Sequence, residues 1–164
     1  MCGVGNGWAD LLGACLLVAL LAGCASRPTD ASPVDEVHLL SVPAALNLDQ
    51  TPGADGFAVK IFAGSRKQPK PVPVTSGTLE ILMFDGVLKD RNPSNAKPLR
   101  IWSFSASQLK DYLEKTSIGP SYRFALRWGE ARPAQENITI LARYVSTLGA
   151  TIYSAPSTIS VAVY

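Results

Sequence analysis

From Glu36 onward the chain is a series of short runs of Val, Ile, Leu and aromatic residues separated by Gly, Pro, Asn and Asp. That is the pattern of strands and turns. Residues 121–128 alternate most cleanly: Tyr122, Phe124, Leu126 and Trp128 fall on one face, Arg123 and Arg127 on the other. Residues 137–145 and 157–164 alternate likewise, the last with Ile159, Val161 and Val163 inward. Residues 57–62, 78–84 and 99–104 supply three more strands, and 37–48 an extended segment interrupted at Pro43. One apolar and one polar face per strand imply strands half-buried against a second layer. The expectation is an all-β fold, an antiparallel two-sheet sandwich, Ig-like, of about seven strands. A β-barrel of the same strand count is the structural rival.

One helix interrupts the strands. Ser105-Ala106-Ser107-Gln108 has capping-box spacing, which sets the Ser105 hydroxyl on the Gln108 amide and returns the Gln108 side chain. Phe104 and Leu109 take the staple positions, and Leu109, Tyr112 and Leu113 form one apolar stripe. Such a helix would cross from one sheet to the other and plug an end of the core. Pro69, Pro71 and Pro73 alternate with Lys70 and Val72 and favour an extended path without ladder hydrogen bonds. A stiff loop or edge guard is expected there, with a docking strip for an aromatic groove as the alternative.

The N-terminus follows a different pattern. Residues 11–22 are apolar apart from Gly13. A spanning helix needs about 20 residues and a signal-peptide core about 7–15, so this run suits the second. It closes on Leu21-Ala22-Gly23-Cys24, which resembles the lipobox of bacterial lipoproteins. The resemblance implies diacylglycerol on the Cys24 sulfur, cleavage before Cys24, and a further acyl chain, such as palmitate, on the new amino group. It divides the chain into a signal peptide, 1–23, a lipidated Cys24 with a flexible tether to residue 35, and a sandwich domain, 36–164. Ala25 rather than Asp follows the cysteine. In bacteria with two membranes that implies the outer membrane, facing the periplasm or the cell surface; with one membrane, it implies the outer face of that membrane. The eleven tether residues, rich in Pro, Ser and Ala, reach about 40 Å. The first ten residues depart from a signal peptide's positive opening, having Asp10 and no Lys or Arg. Either the terminal amine supplies the only positive charge or the start lies upstream of Met1, and the second is the favoured expectation.

Composition narrows the chemistry. Cys2, Cys15 and Cys24 are the only cysteines, so a mature domain with lipid on Cys24 has neither free thiol nor disulfide. It must rely on its apolar core, which about 140 residues can supply. Fifteen Lys and Arg against thirteen Asp and Glu, spread without blocks, give no nucleic-acid footprint. His38, the single histidine, has no metal-ligand spacing around it. No Gly-x-Ser-x-Gly elbow and no phosphate-binding glycine loop occurs. Asp49, Asp55, Asp85 and Asp90 fall in loops that could converge on Ca²⁺, but Asp-Gly at 55–56 and 85–86 is first of all turn chemistry. Glu80 could meet Glu114 or Glu130 as an acid and base only through folding. Asn137-Ile138-Thr139 matches a glycosylation acceptor but falls on an expected strand of a bacterial protein.

Trp102 with Arg100 is the candidate ligand or partner contact, because an exposed Trp stacks on sugar rings or anchors an interface. Trp128 belongs with the core face. Segments such as 55–60 and 77–82 are loosely similar to those of small uncharacterised bacterial lipoproteins, a similarity that implies no activity. The leading expectation is therefore a lipid-anchored cell-envelope protein that is not an enzyme and needs no cofactor. It would bind or support another envelope component, its membrane contact being the lipid on Cys24. A carbohydrate-binding module comes second and a hydrolytic enzyme last.

Overall fold

The computed structural model describes residues 34–88, 93 and 96–161. The strands are β1 (Glu36–Ser41), β2 (Gly56–Gly64), β3 (Thr78–Asp85), β4 (Arg100–Ser105), β5 (Leu113–Thr116), β6 (Gly119–Arg127), β7 (Asn137–Val145), β8 (Thr151–Tyr153) and β9 (Ser157–Ser160). They form two separate sheets, which excludes the barrel. The first has the order β1-β2-β6-β5; the second runs β4-β3-β7-β8, with β9 also on β7. All these ladders are antiparallel. Four strands in this order, facing a five-stranded sheet in which β8 and β9 share one flank of β7 and β4 adds an edge beside β3, make an immunoglobulin-like arrangement.

The alternation read from the sequence sets the core. Phe57, Val59, Ile61, Tyr122, Phe124 and Leu126 point inward from the first sheet, and Leu79, Ile81, Met83, Ile138, Ile140 and Ala142 from the second. Trp128 lies among them, 2 % exposed. On the outer face of the second sheet, Leu82, Phe84 and Leu141 form a smaller cluster under Leu88 and Ala96.

Among the described residues the structure has nine strands where the sequence pattern predicts about seven. β5 and β8 are four and three residues long, too short for periodicity to reveal. β8 and β9 occupy the same flank of β7, on Arg143–Val145 and Asn137–Ile140 respectively. The chain leaves the ladder between them at Pro156, and Ser154 spans the break. Its N–H donates to the Ala142 carbonyl at 2.9 Å, and its hydroxyl accepts the Ala142 N–H at 3.0 Å. β9 ends at Ser160; Val163 lies outside the described residues.

The interruption at Pro43 is a change of sheet. β1 pairs with β2, whereas Pro43 and Ala45 exchange hydrogen bonds with Ser160 of β9 at 2.9 and 2.7 Å. The sandwich also begins before Glu36. Val34 is buried in the core, and Asp35 donates its N–H to Gly64 at 2.9 Å. The two residues assigned to the end of the tether thus belong to the domain.

The segment expected as a helix is a single 3₁₀ turn, Gln108–Tyr112. It does pass from the second sheet to the first, with Leu109 fully buried and Tyr112 stacked on Phe124 at 4.6 Å. Half of the capping box forms. The Ser105 N–H donates to Gln108 Oε1 at 2.9 Å, but the Ser105 hydroxyl donates to the same oxygen instead of capping an amide. Ser107 is the cap residue and makes no side-chain cap bond. Leu113, placed on the helical stripe by its spacing, begins β5 instead, opposite Tyr122.

Candidate functional site

On β4, alternation turns Arg100, Trp102 and Phe104 toward the core, opposite Met83, Ile81 and Leu79 of β3. Trp102 is half-buried and meets Phe57 edge-on at 5.4 Å. The Arg100 guanidinium lies 5.0 Å from the Trp102 ring centroid, and its Nη1 donates to the Trp128 carbonyl. The pair fastens edge strand β4 to the residue that follows β6 on the facing sheet. The Arg100 cation–π contact covers one face of the ring. Among the described residues every aromatic side chain is buried or half-buried. A sugar-stacking platform needs an open ring face.

The acidic loop residues are engaged in turns and ion pairs. Arg127 Nε donates to Asp55 Oδ2 at 2.7 Å, and its Nη2 pairs with Asp49. Asp55 Oδ1 accepts the Leu48 N–H at 2.6 Å, and Asp49 Oδ1 the Thr51 N–H at 2.7 Å. The Thr51 N–H, and after it Arg127, hold the Asp49 carboxyl below its ordinary value. Asp55 in turn raises the Arg127 guanidinium, with Asp49 assisting. Asp85 accepts the N–H groups of Ala134 and Gln135, while Asp90 lies outside the described residues. Among the described residues no three His, Cys, Asp or Glu side chains come together as metal ligands.

Nor does an acid–base pair assemble from the glutamates singled out in the sequence. Glu80 pairs with Arg143 at 2.5 Å and accepts from Ser103 at 2.8 Å on the outer face of the second sheet. Glu114 pairs with Lys60 at 3.2 Å and Arg123 at 3.5 Å on the first. Lys60 above all keeps the Glu114 carboxyl below its usual range. Glu130 is exposed in the turn after Trp128, and His38 is exposed, 3.4 Å from Glu36. Asn137 is half-buried and opposes Ser160 in the ladder.

The proline strip is a stiff connection between the sheets. Val72 and Val74 are buried. The Val72 N–H donates to Ala63 at 2.8 Å, and the Val74 N–H to the Tyr122 hydroxyl at 2.7 Å. Burial pushes the Tyr122 phenol up, against the effect of that N–H. Pro71 abuts Gly119, where a Cβ would stand 2.9 Å from the ring. Beside the strip is a feature with no sequence signal, a cleft of about 450 Å³. Val74, Leu109, Leu113 and Tyr122 line it, with Ser107 and Lys110 among the polar residues around it. The walls come from three separated stretches of chain, so only folding assembles them.

Cys24, the remaining candidate, lies outside the described residues with all of 1–33. Among the described residues no helix is long and apolar enough to cross a membrane. No family model and no curated protein matches the chain. Among solved structures it is similar to a superoxide reductase (neelaredoxin) from Ignicoccus hospitalis, at 18 % identity and a TM-score of 0.37, over 78 % of this chain and 83 % of that one. A likeness so distant has no bearing on activity.

Proposed function

We propose that this is a lipid-anchored protein of the bacterial cell envelope, a non-catalytic module that binds or supports another envelope component. The observation that carries the reading is Leu21-Ala22-Gly23-Cys24 at the end of an apolar run of signal-peptide length. The start of the sandwich at Val34 supports it, because a short polar stretch then separates Cys24 from the folded domain. The engagement of Asp49, Asp55, Asp85, Glu80 and Glu114 in turns and ion pairs supports the non-catalytic part. The apolar cleft beside Leu109 and Val74 is the surface best suited to a partner. Residue Ala25 favours the outer membrane.

Each acyl CH₂ buried in a bilayer contributes about 0.8 kcal/mol, so two or three chains hold a protein firmly. Cys24→Ser is therefore expected to accumulate as uncleaved or unlipidated product without radiolabelled palmitate. Normal processing and membrane recovery of Cys24→Ser would overturn the proposal.

A further inference from the structure

We infer that the N-terminal end of the sandwich rests on the phospholipid surface, with Leu148 and Ile118 entering the interface and a group of Lys and Arg side chains meeting anionic headgroups. This builds on the lipid-anchor reading and specifies which end of the domain meets the bilayer.

The strand registers bring the relevant turns together. Glu36 at the start of β1 pairs with Gly64 at the end of β2, and β6 begins nearby at Gly119. In the other sheet Thr78 at the start of β3 pairs with Val145 at the end of β7. The 65–77 connection joins these ends, with Pro71 against Gly119 and Gly77 against the Val145 carbonyl. The β5–β6 turn, with Ile118, and the β7–β8 turn, with Leu148, therefore project from the same end as Val34. Leu148 is 94 % exposed and Ile118 58 %.

The Leu148 turn is tightly built. Ser146 N–H donates to Ala150 O at 2.8 Å, Gly149 N–H to Ser146 O at 3.0 Å, and Ala150 N–H to Ser146 Oγ at 3.0 Å. An apolar side chain held outward on a hydrogen-bonded turn gains nothing from water but is well shaped for insertion among lipids. Leu40, Val42 and Ile101, also exposed, lie on β1, just after it and on β4, and Val87 and Leu99 lie at the opposite end.

Charge and tether length favour the same contact. The 65–77 connection carries Arg66, Lys67 and Lys70, all exposed, and no Asp or Glu. Lys110 and Lys115 extend this group. Of the nearby carboxylates, Asp35 accepts from Ser65 and the Arg66 N–H, Glu36 lies near His38 and Arg66, and Glu114 pairs with Lys60 and Arg123. Asp35 keeps its charge beside these neutral donors, Glu36 offsets Arg66, and Asp111 is exposed on the 3₁₀ turn, so Lys67, Lys70, Lys110 and Lys115 face Asp35 and Asp111. Cations so placed attract anionic lipid. Nine residues, 25–33, separate Cys24 from Val34, a span of about 30 Å at full extension. The tether enters the domain beside Gly64, so the anchor draws this end toward the bilayer.

The test uses the full chain, processed in a lipoprotein-producing bacterium and reconstituted in vesicles of phosphatidylethanolamine and phosphatidylglycerol. Lipid blocks the Cys24 sulfur, so nitroxide labels attach only to Leu148→Cys, Ile118→Cys or, as the distal reference, Val87→Cys. Labels at 148 and 118 are expected to lose collisions with a water-soluble nickel chelate and gain collisions with oxygen relative to the label at 87. Equal chelate access at all three positions, in protein that floats with the vesicles, overturns the docking and leaves the anchor standing. Shielding that disappears when the protein is diluted with lipid assigns the surface to a second copy and also overturns it. Protein that does not float removes the anchor reading and the docking with it.

Discussion

Tyr122 shows how much one polar atom can hold. Its ring is in the core, and its hydroxyl accepts the N–H of Val74 from a loop with otherwise apolar surroundings. Tyr122→Phe leaves that N–H unpaired, at a cost of about 1–3 kcal/mol. Urea denaturation should show the loss as a lower midpoint at unchanged slope; an unchanged midpoint would mean that water replaces the hydroxyl. Acid offers a second test at this scale. Asp49 and Glu114 both titrate below their ordinary values of 3.8 and 4.5 in the folded state. A depressed carboxylate contributes stability above its unfolded value and loses it as pH falls toward its folded value. The urea midpoint should therefore hold from neutrality to about pH 5 and decline below about pH 4. Arg127→Met should make that decline shallower by removing a partner of Asp49, and parallel titrations of the two proteins would check it.

At the scale of elements, the 3₁₀ turn separates local signal from tertiary demand. The serine spacing promises a capped helix, yet the turn is held by Leu109 in the core and Tyr112 against Phe104 and Phe124. The Ser105 hydroxyl satisfies no backbone amide. Ser105→Ala should thus stay within about 0.5 kcal/mol of the parent, whereas Leu109→Ala should cost about 2–5 kcal/mol through the cavity it leaves. Thermal melts of both variants measure the difference, and equal losses would restore Ser105 as the cap. A few residues fix this element because Leu109 commits the chain to a sharp descent between sheets, leaving too little length for a second helical turn.

For the molecule as a whole, β9 ties the chain that leaves the first sheet to the second. It pairs with β7, carries the fully buried Ile159, and holds Pro43 and Ala45 of the chain entering from the first sheet. Deleting residues 157–164 removes core and ladder together and bares an edge of β7. An unfolded or aggregated product is expected by circular dichroism and size exclusion, while deletion of 25–33 should leave a cooperative melt. A near-parent melt from the C-terminal deletion would show that the sandwich is complete without β9.

The sequence by itself determined the class of fold and most of its strands. Binary alternation reports which face of a strand is buried whatever that strand pairs with, so Tyr122, Phe124, Leu126 and Trp128 were legible as core. Pro43 marked an interruption in the sequence, because a residue without an N–H interrupts a ladder wherever it falls, but that the interruption is a change of sheet was decided by the fold. The pairing partners, the two short strands and the cleft were decided only in three dimensions, since each joins residues far apart in the chain. Arg100 and Trp102 illustrate the limit. Alternation put them on one face of β4, but the position of Phe57 and the Trp128 carbonyl on the opposite sheet made that face an inward one. The exposed apolar tips are the converse case. Leu148 in a run of small residues is ordinary in sequence, and only the register that sets it at the same end as Ile118 and Val34 gives it a common direction.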